Sequence, residues 1–298
     1  MNLSDTEFNE IRRLVKRLCG IWLTDDKEYL IRTRFESVLL HNNLSSFAEF
    51  IQAASNPTNL RLHDEIIEAI TTKETSFNRD GHPFDEFRRT ILPNLIVTRL
   101  ERQRLAGLPF GKMRIWSAAA STGQEAYSLA IAILEYVETQ TSKKTNGFLV
   151  NVDNFSIVGT DISTKAIRIA KEGCYHGHEL NRGLSIDSKQ RYFREHHGKF
   201  TIEPEAKNMV EFRRINLVNS FADMNGNDLI LCRNLLIYFD EPTRKLVVDQ
   251  LAASLTPGGL LMLGAAESLS TIPPGLVQEQ MGRTIVFRKV SRLPANGG

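Results

Sequence analysis

From Met113 onward the chain alternates short apolar runs with helix-spaced segments, and this alternation restricts it to a layered α/β architecture. Met113 to Ser117, Ser156 to Thr160, Asp228 to Arg233, Leu260 to Ala265 and Thr284 to Arg288 read as strands. Glu125 to Glu138, with Leu129, Ile133, Leu134 and Val137 at helical spacing, reads as a helix, as do Thr164 to Lys171 and Glu241 to Leu255. Thr141 to Asn146 is a polar linker, and Pro257-Gly258-Gly259 a turn. The order predicts a doubly wound, mainly parallel sheet. Gly173 to Phe212 is too long for one strand–helix unit. It is expected to be an insertion, with a small antiparallel sheet formed by stretches such as Lys199 to Ile202 and Met209 to Phe212.

The first seventy residues have a different pattern. Ser4-Asp5-Thr6-Glu7 and Ser46-Phe47-Ala48-Glu49 have capping-box spacing, in which hydroxyl and carboxylate satisfy the free N–H groups of a helix start. Phe8, Ile11, Leu14, Val15 and Leu18 give the first helix its apolar face, and Gly20 suits its end. A second helix carries Tyr29 to Leu39, and a fourth begins near Pro57 and carries Ile66, Ile67 and Ile70. Thr71 to Pro83 reads as a loop. Phe84 to Leu100 returns to helical spacing with a kink expected at Pro93, and Gly107, Pro109 and Gly111 close it. The expected organisation is an all-helical unit over 1–70, a linker and helix over 71–111, and an α/β domain over 112–298 with an insertion at about 173–212.

A net charge of +2 gives no global field for nucleic acid. Residues 1–70 hold 8 Lys and Arg against 11 Asp and Glu, a balance of 8 − 11 = −3. Arg12, Arg13, Lys16 and Arg17 nevertheless share one face of the first helix, either as solvated surface or as a docking patch for an acidic helix. Met1 to Asp5 lacks the pattern of a signal peptide, and no apolar run approaches the roughly 20 residues of a membrane span. Cys19, Cys174 and Cys232 are an odd, scattered set without a C-x-x-C pair, which suggests a reducing compartment and no structural zinc. His82, His176, His178, His196 and His197 match no metal-ligand spacing, so no metal is expected.

Ligands of open α/β sheets bind beyond the carboxyl ends of the strands. Two features lie there. Ser117-Ala118-Ala119-Ala120-Ser121-Thr122-Gly123-Gln124-Glu125 follows the first strand, with small side chains that allow close approach to the backbone. Asp161 ends the second strand, where a carboxylate can accept from both ribose hydroxyls. The loop is not G-x-G-x-x-G, and Asp161 follows Gly123 by 38 residues (161 − 123), where a dinucleotide site uses about 20. A nucleoside without pyrophosphate, such as S-adenosylmethionine, fits better. An ordinary strand–helix turn beside a capping Asp remains open on these features alone.

Three segments carry the reading further. Thr71-Thr72-Lys73-Glu74-Thr75-Ser76-Phe77-Asn78-Arg79 resembles the T-T-N-E-T-x-F-F-R segment of chemotaxis receptor glutamate methyltransferases. Ile115 to Ser128 resembles their W-S-A-x-x-S-T-G-E-E-P-Y-S loop, and Leu231 to Asp240 their F-C-R-N-x-x-I-Y-F signature. The resemblance implies a class I methyltransferase-like doubly wound sheet with a small antiparallel insertion, preceded by a small all-α domain. It implies an S-adenosylmethionine-dependent enzyme that esterifies glutamates on the cytoplasmic helical region of chemotaxis receptors. Carried over by position, it implies that Glu125 binds the methionine ammonium and Asp161 the ribose. Asn216, Leu217, Arg233 and Asn234 would flank the adenine and the bound cofactor. Lys73, Thr75 and Arg79 would close over it from the linker, with Tyr238 near the transferred methyl and Arg79 also catalytic.

Three departures stand out: Lys73 replaces Asn, Asn78 replaces the second Phe, and Gln124 replaces the first Glu of the loop. The insertion loop Arg194 to Lys199 is short, so no tether to a receptor-tail peptide is expected. A glutamate acceptor is already ionised near neutrality and needs no general base, which agrees with the lack of any Ser-His-Asp or Cys-His pattern. Two alternatives remain: the same fold acting on another acceptor, or an inactive homologue serving as a signalling module.

Overall fold

The protein is described here by a computed structural model, which covers residues 3–140 and 148–290; the linker read at Thr141 to Asn146 lies outside the described residues. Four helices, α1 (Asp5–Cys19), α2 (Glu28–His41), α3 (Phe47–Ser55) and α4 (Leu60–Ile70), form the N-terminal unit. Ser4 and Glu7 close the capping box on α1, and Ser46 caps α3. The fourth helix starts later than expected: Asn59 caps it, and Pro57 lies in the preceding turn. Phe8, Ile11, Phe35, Leu39, Phe50 and Ile66 make a separate core for this unit.

The linker leads into α5 (His82–Glu86), a π-helical turn at Phe87–Ile91, and α6 (Leu92–Leu105). The three segments abut and every junction residue is right-handed helical, so Pro93 lies within one continuous helix, as expected, and the π turn just before it takes up the missing N–H.

The α/β domain is built on β1 (Met113–Ser117), β2 (Phe155–Asp161) and their helices α7 (Gln124–Thr139) and α8 (Thr164–Glu172). The chain then forms the insertion: β3 (Cys174–His176), α9 (Gly177–Asn181), α10 (Ile186–Tyr192), β4 (Phe193–His196), β5 (Lys199–Ile202) and α11 (Pro204–Lys207). It returns as β6 (Val210–Arg214), β7 (Asn227–Cys232), α12 (Glu241–Ser254), β8 (Leu255–Leu263), β9 (Leu276–Met281) and β10 (Thr284–Lys289). The main sheet has seven strands in the order β6-β2-β1-β7-β8-β10-β9. It is parallel from β6 to β8, while β10 and β9 run antiparallel. This is a doubly wound class I methyltransferase architecture behind an all-α domain.

The insertion sheet has the order β3-β5-β4. Met209 to Phe212 was expected there and is not part of it. Val210–Arg214 pairs in parallel with β2 at the edge of the main sheet, because Phe212 is needed against the core and packs edge-on to Tyr127. The expected turn at 257–259 is instead a bulge inside β8. Asn227 pairs with Leu255 and Leu229 with Leu260, so three residues loop out of register.

The helical unit docks over the carboxyl edge of the sheet. Ile21 forms a β-bridge with Phe239, and the Trp22 N–H donates to the Tyr238 carbonyl (2.8 Å). Lys16 pairs with Asp240 (2.5 Å), Arg214 pairs with Asp64, and Asn216 donates to the Leu18 carbonyl (2.8 Å). Gly20 makes the first of these contacts geometrically possible. It turns the chain at φ +77°, and a Cβ there would clash with Val218. The basic face of α1 is therefore split. Arg12 pairs with Asp25 and stacks over Trp22, and Lys16 is spent between the domains. Arg13 and Arg17 face solvent.

Candidate active site

The domain junction encloses a cavity of about 100 Å³ that opens to solvent at one mouth. Its floor is the set of loops beyond β1, β2, β6 and β7. Its roof is the linker together with Cys19 and Ile21 of the helical unit.

Of the residues expected from sequence, Thr75, Arg79, Glu125, Asp161, Asn216, Leu217, Arg233, Asn234 and Tyr238 all line it. Lys73 does not. Its ammonium turns out to Glu68 (2.6 Å), and only its backbone carbonyl faces the loop, accepting from Ser121 Oγ (3.1 Å). A short amide at this position could not reach Glu68. The long side chain ties the start of the linker back to α4, whose Glu68 also accepts from Ser163 and the Lys165 N–H of the α/β domain.

The loop after β1 is drawn tight by Ser121 at φ +49° and Gly123 at φ +100°. Its small residues Ala118 and Ala119 leave the backbone accessible from the cavity. The two oxygens of Asp161 each take one backbone N–H, from Ser121 and from Ser163, both at 2.9 Å. One lone-pair direction on each oxygen is left for a diol. Burial pushes the Asp161 carboxyl above its ordinary value, opposed by these two N–H groups.

Glu125 is buried and already engaged, by Ser117 Oγ (2.7 Å) and Arg233 Nη1 (3.0 Å). Arg233 also holds Asp80 (2.8 Å) and the Arg79 carbonyl (3.0 Å), so one buried guanidinium joins the linker to the loop after β1. Asn234 sits in the left-handed region at φ +57°, with its side-chain oxygen buried and unpartnered. Arg79 donates to the Glu74 carbonyl (3.0 Å) and, among the described residues, forms no ion pair. Tyr238 stands partly exposed at the mouth, with exposed Ile237 beside it in sequence and Trp22 bonded to its carbonyl.

The lining offers no ready protein nucleophile. Burial pushes the Cys19 thiol up to about 11, and Cys232, fully buried beneath the floor, is raised well above its ordinary value. The free acceptor at Asn234, the open lone pairs of Asp161 and the cation of Arg79 suit a polar nucleoside carrying an amino acid group.

The other two departures lie away from the cavity. Asn78 adopts φ +46°, which Asn tolerates better than Phe, and its side chain bridges the Gly183 carbonyl (2.9 Å) of the insertion and Arg88. Gln124 donates to Glu179 (3.2 Å) on α9 and accepts from Thr122 (2.8 Å). Both residues attach the insertion to the site's framework.

Sequence reasoning missed Cys19 and Ile21 as cavity walls, because an apolar residue at a helix end carries the same signal whether it faces a core or a ligand. It also missed Glu267, which accepts the Asn234 N–H (2.7 Å).

The sequence model described as the CheR methyltransferase S-adenosylmethionine-binding domain matches residues 73–284, and the CheR all-alpha domain matches residues 6–71. Chemotaxis protein methyltransferase 1 of Pseudomonas aeruginosa is 34% identical over 289 residues, 97% of this chain and 99% of that protein. The chemotaxis protein methyltransferase of Vibrio parahaemolyticus is 35% identical over 289 residues, 97% of this chain and 98% of that one. Among solved structures, a TehB-like S-adenosylmethionine-dependent methyltransferase from Corynebacterium glutamicum overlays with a TM-score of 0.33 and 12% identity, over 66% of this chain and 96% of that one.

Proposed function

The chain belongs to the CheR family of chemotaxis methyltransferases, enzymes that use S-adenosylmethionine, and from that premise we propose that it methyl-esterifies glutamate side chains on chemotaxis receptors. One observation carries the proposal. The cavity lining includes the cation of Arg79 and no thiolate, and its two buried carboxylates are already held, Asp161 by two backbone N–H groups and Glu125 by Ser117 and Arg233. Such a site suits an acceptor that arrives already ionised. A free glutamate carboxyl, with a pKa of about 4.3, is such an acceptor at neutral pH.

In this reading the cofactor supplies a sulfonium methyl, open to in-line attack by a carboxylate oxygen. Asp161 holds the ribose, and Asn216 and Leu217 flank the adenine. Glu125, set by Ser117 and Arg233, faces the methionine ammonium alongside Asn234. Thr75 and Arg79 close the linker over the ligand, and Lys73 keeps the linker seated through Glu68 rather than by touching the cofactor. Arg79 steers the acceptor carboxylate to the mouth, and Tyr238 confines it there. Transfer then rests on alignment and on exclusion of water, not on proton movement.

The acceptor helix would approach over the exposed rim of Trp22, Ile237 and Tyr238, with Arg13 and Arg17 beside it to meet acidic residues. The receptor region is cytoplasmic in this reading, and so is the enzyme. No receptor-tail tether is invoked. Incubation with methyl-labelled S-adenosylmethionine and receptor-containing membranes should yield label released as methanol by base. Base-stable label would mean another acceptor, and no transfer would mean an inactive homologue.

A further inference from the structure

We propose that Glu267 is a positioning residue that sets the Asn234 side-chain oxygen toward the amino acid end of the bound cofactor. The inference rests on the placement of that end over β7. Asp161 ends β2, and Asn234 follows β7, two strands away across β1. That separation is about 10 Å at ordinary strand spacing. A ligand with its ribose at Asp161 therefore reaches Asn234 with its amino acid portion.

The geometry around Glu267 is unusual for a half-buried carboxylate outside the cavity. One oxygen, Oε2, accepts both the Asn234 N–H (2.7 Å) and the Gly264 N–H (2.8 Å), pinning the end of β7 to the end of β8. The Glu267 N–H returns to the Gly264 carbonyl (2.9 Å), so the carboxylate is held by its own turn. The contact is too close for any side chain at 264. A Cβ there would lie 2.7 Å from Oε2 and 2.9 Å from the Asn234 nitrogen.

With its N–H bound in this way, Asn234 is kept in the left-handed conformation, and its Oδ1 is buried with no partner. A buried amide oxygen left unpaired is costly unless a ligand or water donates to it. Asn234 lines the cavity, so a small turn of its side chain on binding presents Oδ1 to the cofactor's ammonium, a donor of the right kind at this end. Oε1 of Glu267 is likewise buried and unpartnered.

Calorimetry with two ligands tests the assignment. S-adenosylhomocysteine carries the amino acid portion and 5′-methylthioadenosine lacks it. Glu267→Ala should weaken S-adenosylhomocysteine on the order of tenfold, the value of one charged hydrogen bond, and leave methylthioadenosine within about twofold. Glu267→Gln keeps one oxygen able to accept both N–H groups and should restore most of the loss. Asn234→Ala should show the same selective loss, and the double variant should be no worse than Asn234→Ala alone. Equal weakening of both ligands, no weakening of either, or fully additive losses would overturn the assignment. Failure of the unaltered protein to bind either ligand would instead overturn the cofactor reading of the cavity.

Discussion

Asp161→Ala is expected to weaken S-adenosylhomocysteine by about two to three orders of magnitude. The estimate follows from the bonds at this carboxylate. Each oxygen is fixed by one backbone N–H at 2.9 Å, which leaves one acceptor direction apiece for the two ribose hydroxyls. Hydrogen bonds to a charged group contribute about 1.5–3 kcal/mol each, so two amount to about 3–6 kcal/mol gross. Water entering the half-buried gap returns part of this, leaving about 3–4 kcal/mol at roughly 1.4 kcal/mol per decade. The variant also frees the Ser121 N–H that shapes the loop, so Asp161→Asn is the companion change, since it keeps one oxygen and nearly the same volume. Titration calorimetry reads both. A ligand lacking the ribose hydroxyls should bind the native protein and the alanine variant with similar, weak affinity. Because burial raises the Asp161 carboxyl, native affinity should also fall as pH drops toward that raised value, while the alanine variant should lose this dependence. Affinity of Asp161→Ala within twofold of native would refute the assignment.

Glu68 supports the junction from the other side. Burial alone would raise its carboxyl, but the Lys165 N–H, Lys73 and Ser163 hold it below its ordinary value. A carboxyl lowered by folding stabilises above its unfolded value and ceases to do so as pH falls through its folded one. Glu68→Gln should therefore reduce thermal stability at neutral pH and flatten the decline toward about pH 4; a parallel decline in both proteins would count against it. Gln124→Glu would set a second carboxylate against Glu179, so its destabilisation, about 1–3 kcal/mol, should be larger at pH 8 than at pH 5 by thermal unfolding. An equal loss at both values would mean that this contact does not matter. Trp22→Ala should raise the KM for receptor about threefold or more with unchanged S-adenosylhomocysteine affinity, whereas an unaltered KM would move the acceptor's path elsewhere. Charge reversal at Arg13 and Arg17 should slow receptor methylation in a salt-dependent way, and a salt-independent effect would argue against steering.

The fold was legible because its signals are local. Capping boxes at Ser4 and Ser46 and the apolar runs of β1, β2 and β7 each specify their own element. What escaped depends on how side chains and strands pair once the chain is folded. Val210–Arg214 looks like any short strand, and only its pairing with β2 moves it from the insertion into the main sheet. Lys73 matches a cofactor-facing position, yet its charge finds Glu68 of the preceding helix, a choice that residue spacing cannot reveal. The basic face of α1 was visible as a stripe, but its division into solvent-facing and interdomain residues follows from Asp25 and Asp240, the latter more than two hundred residues away. Glu267 stands in an ordinary turn, and nothing in the segment Gly264 to Ser270 marks it as a brace for Asn234.

The most direct test is a crystal structure of the protein with S-adenosylhomocysteine. The ligand should lie in the junction cavity, its ribose hydroxyls on Asp161, its amino acid portion over Asn234 and Glu125, and its sulfur facing the mouth at Tyr238. Ligand bound elsewhere, or seated with the ribose over β7 and the sulfur turned away from Tyr238, would contradict this placement.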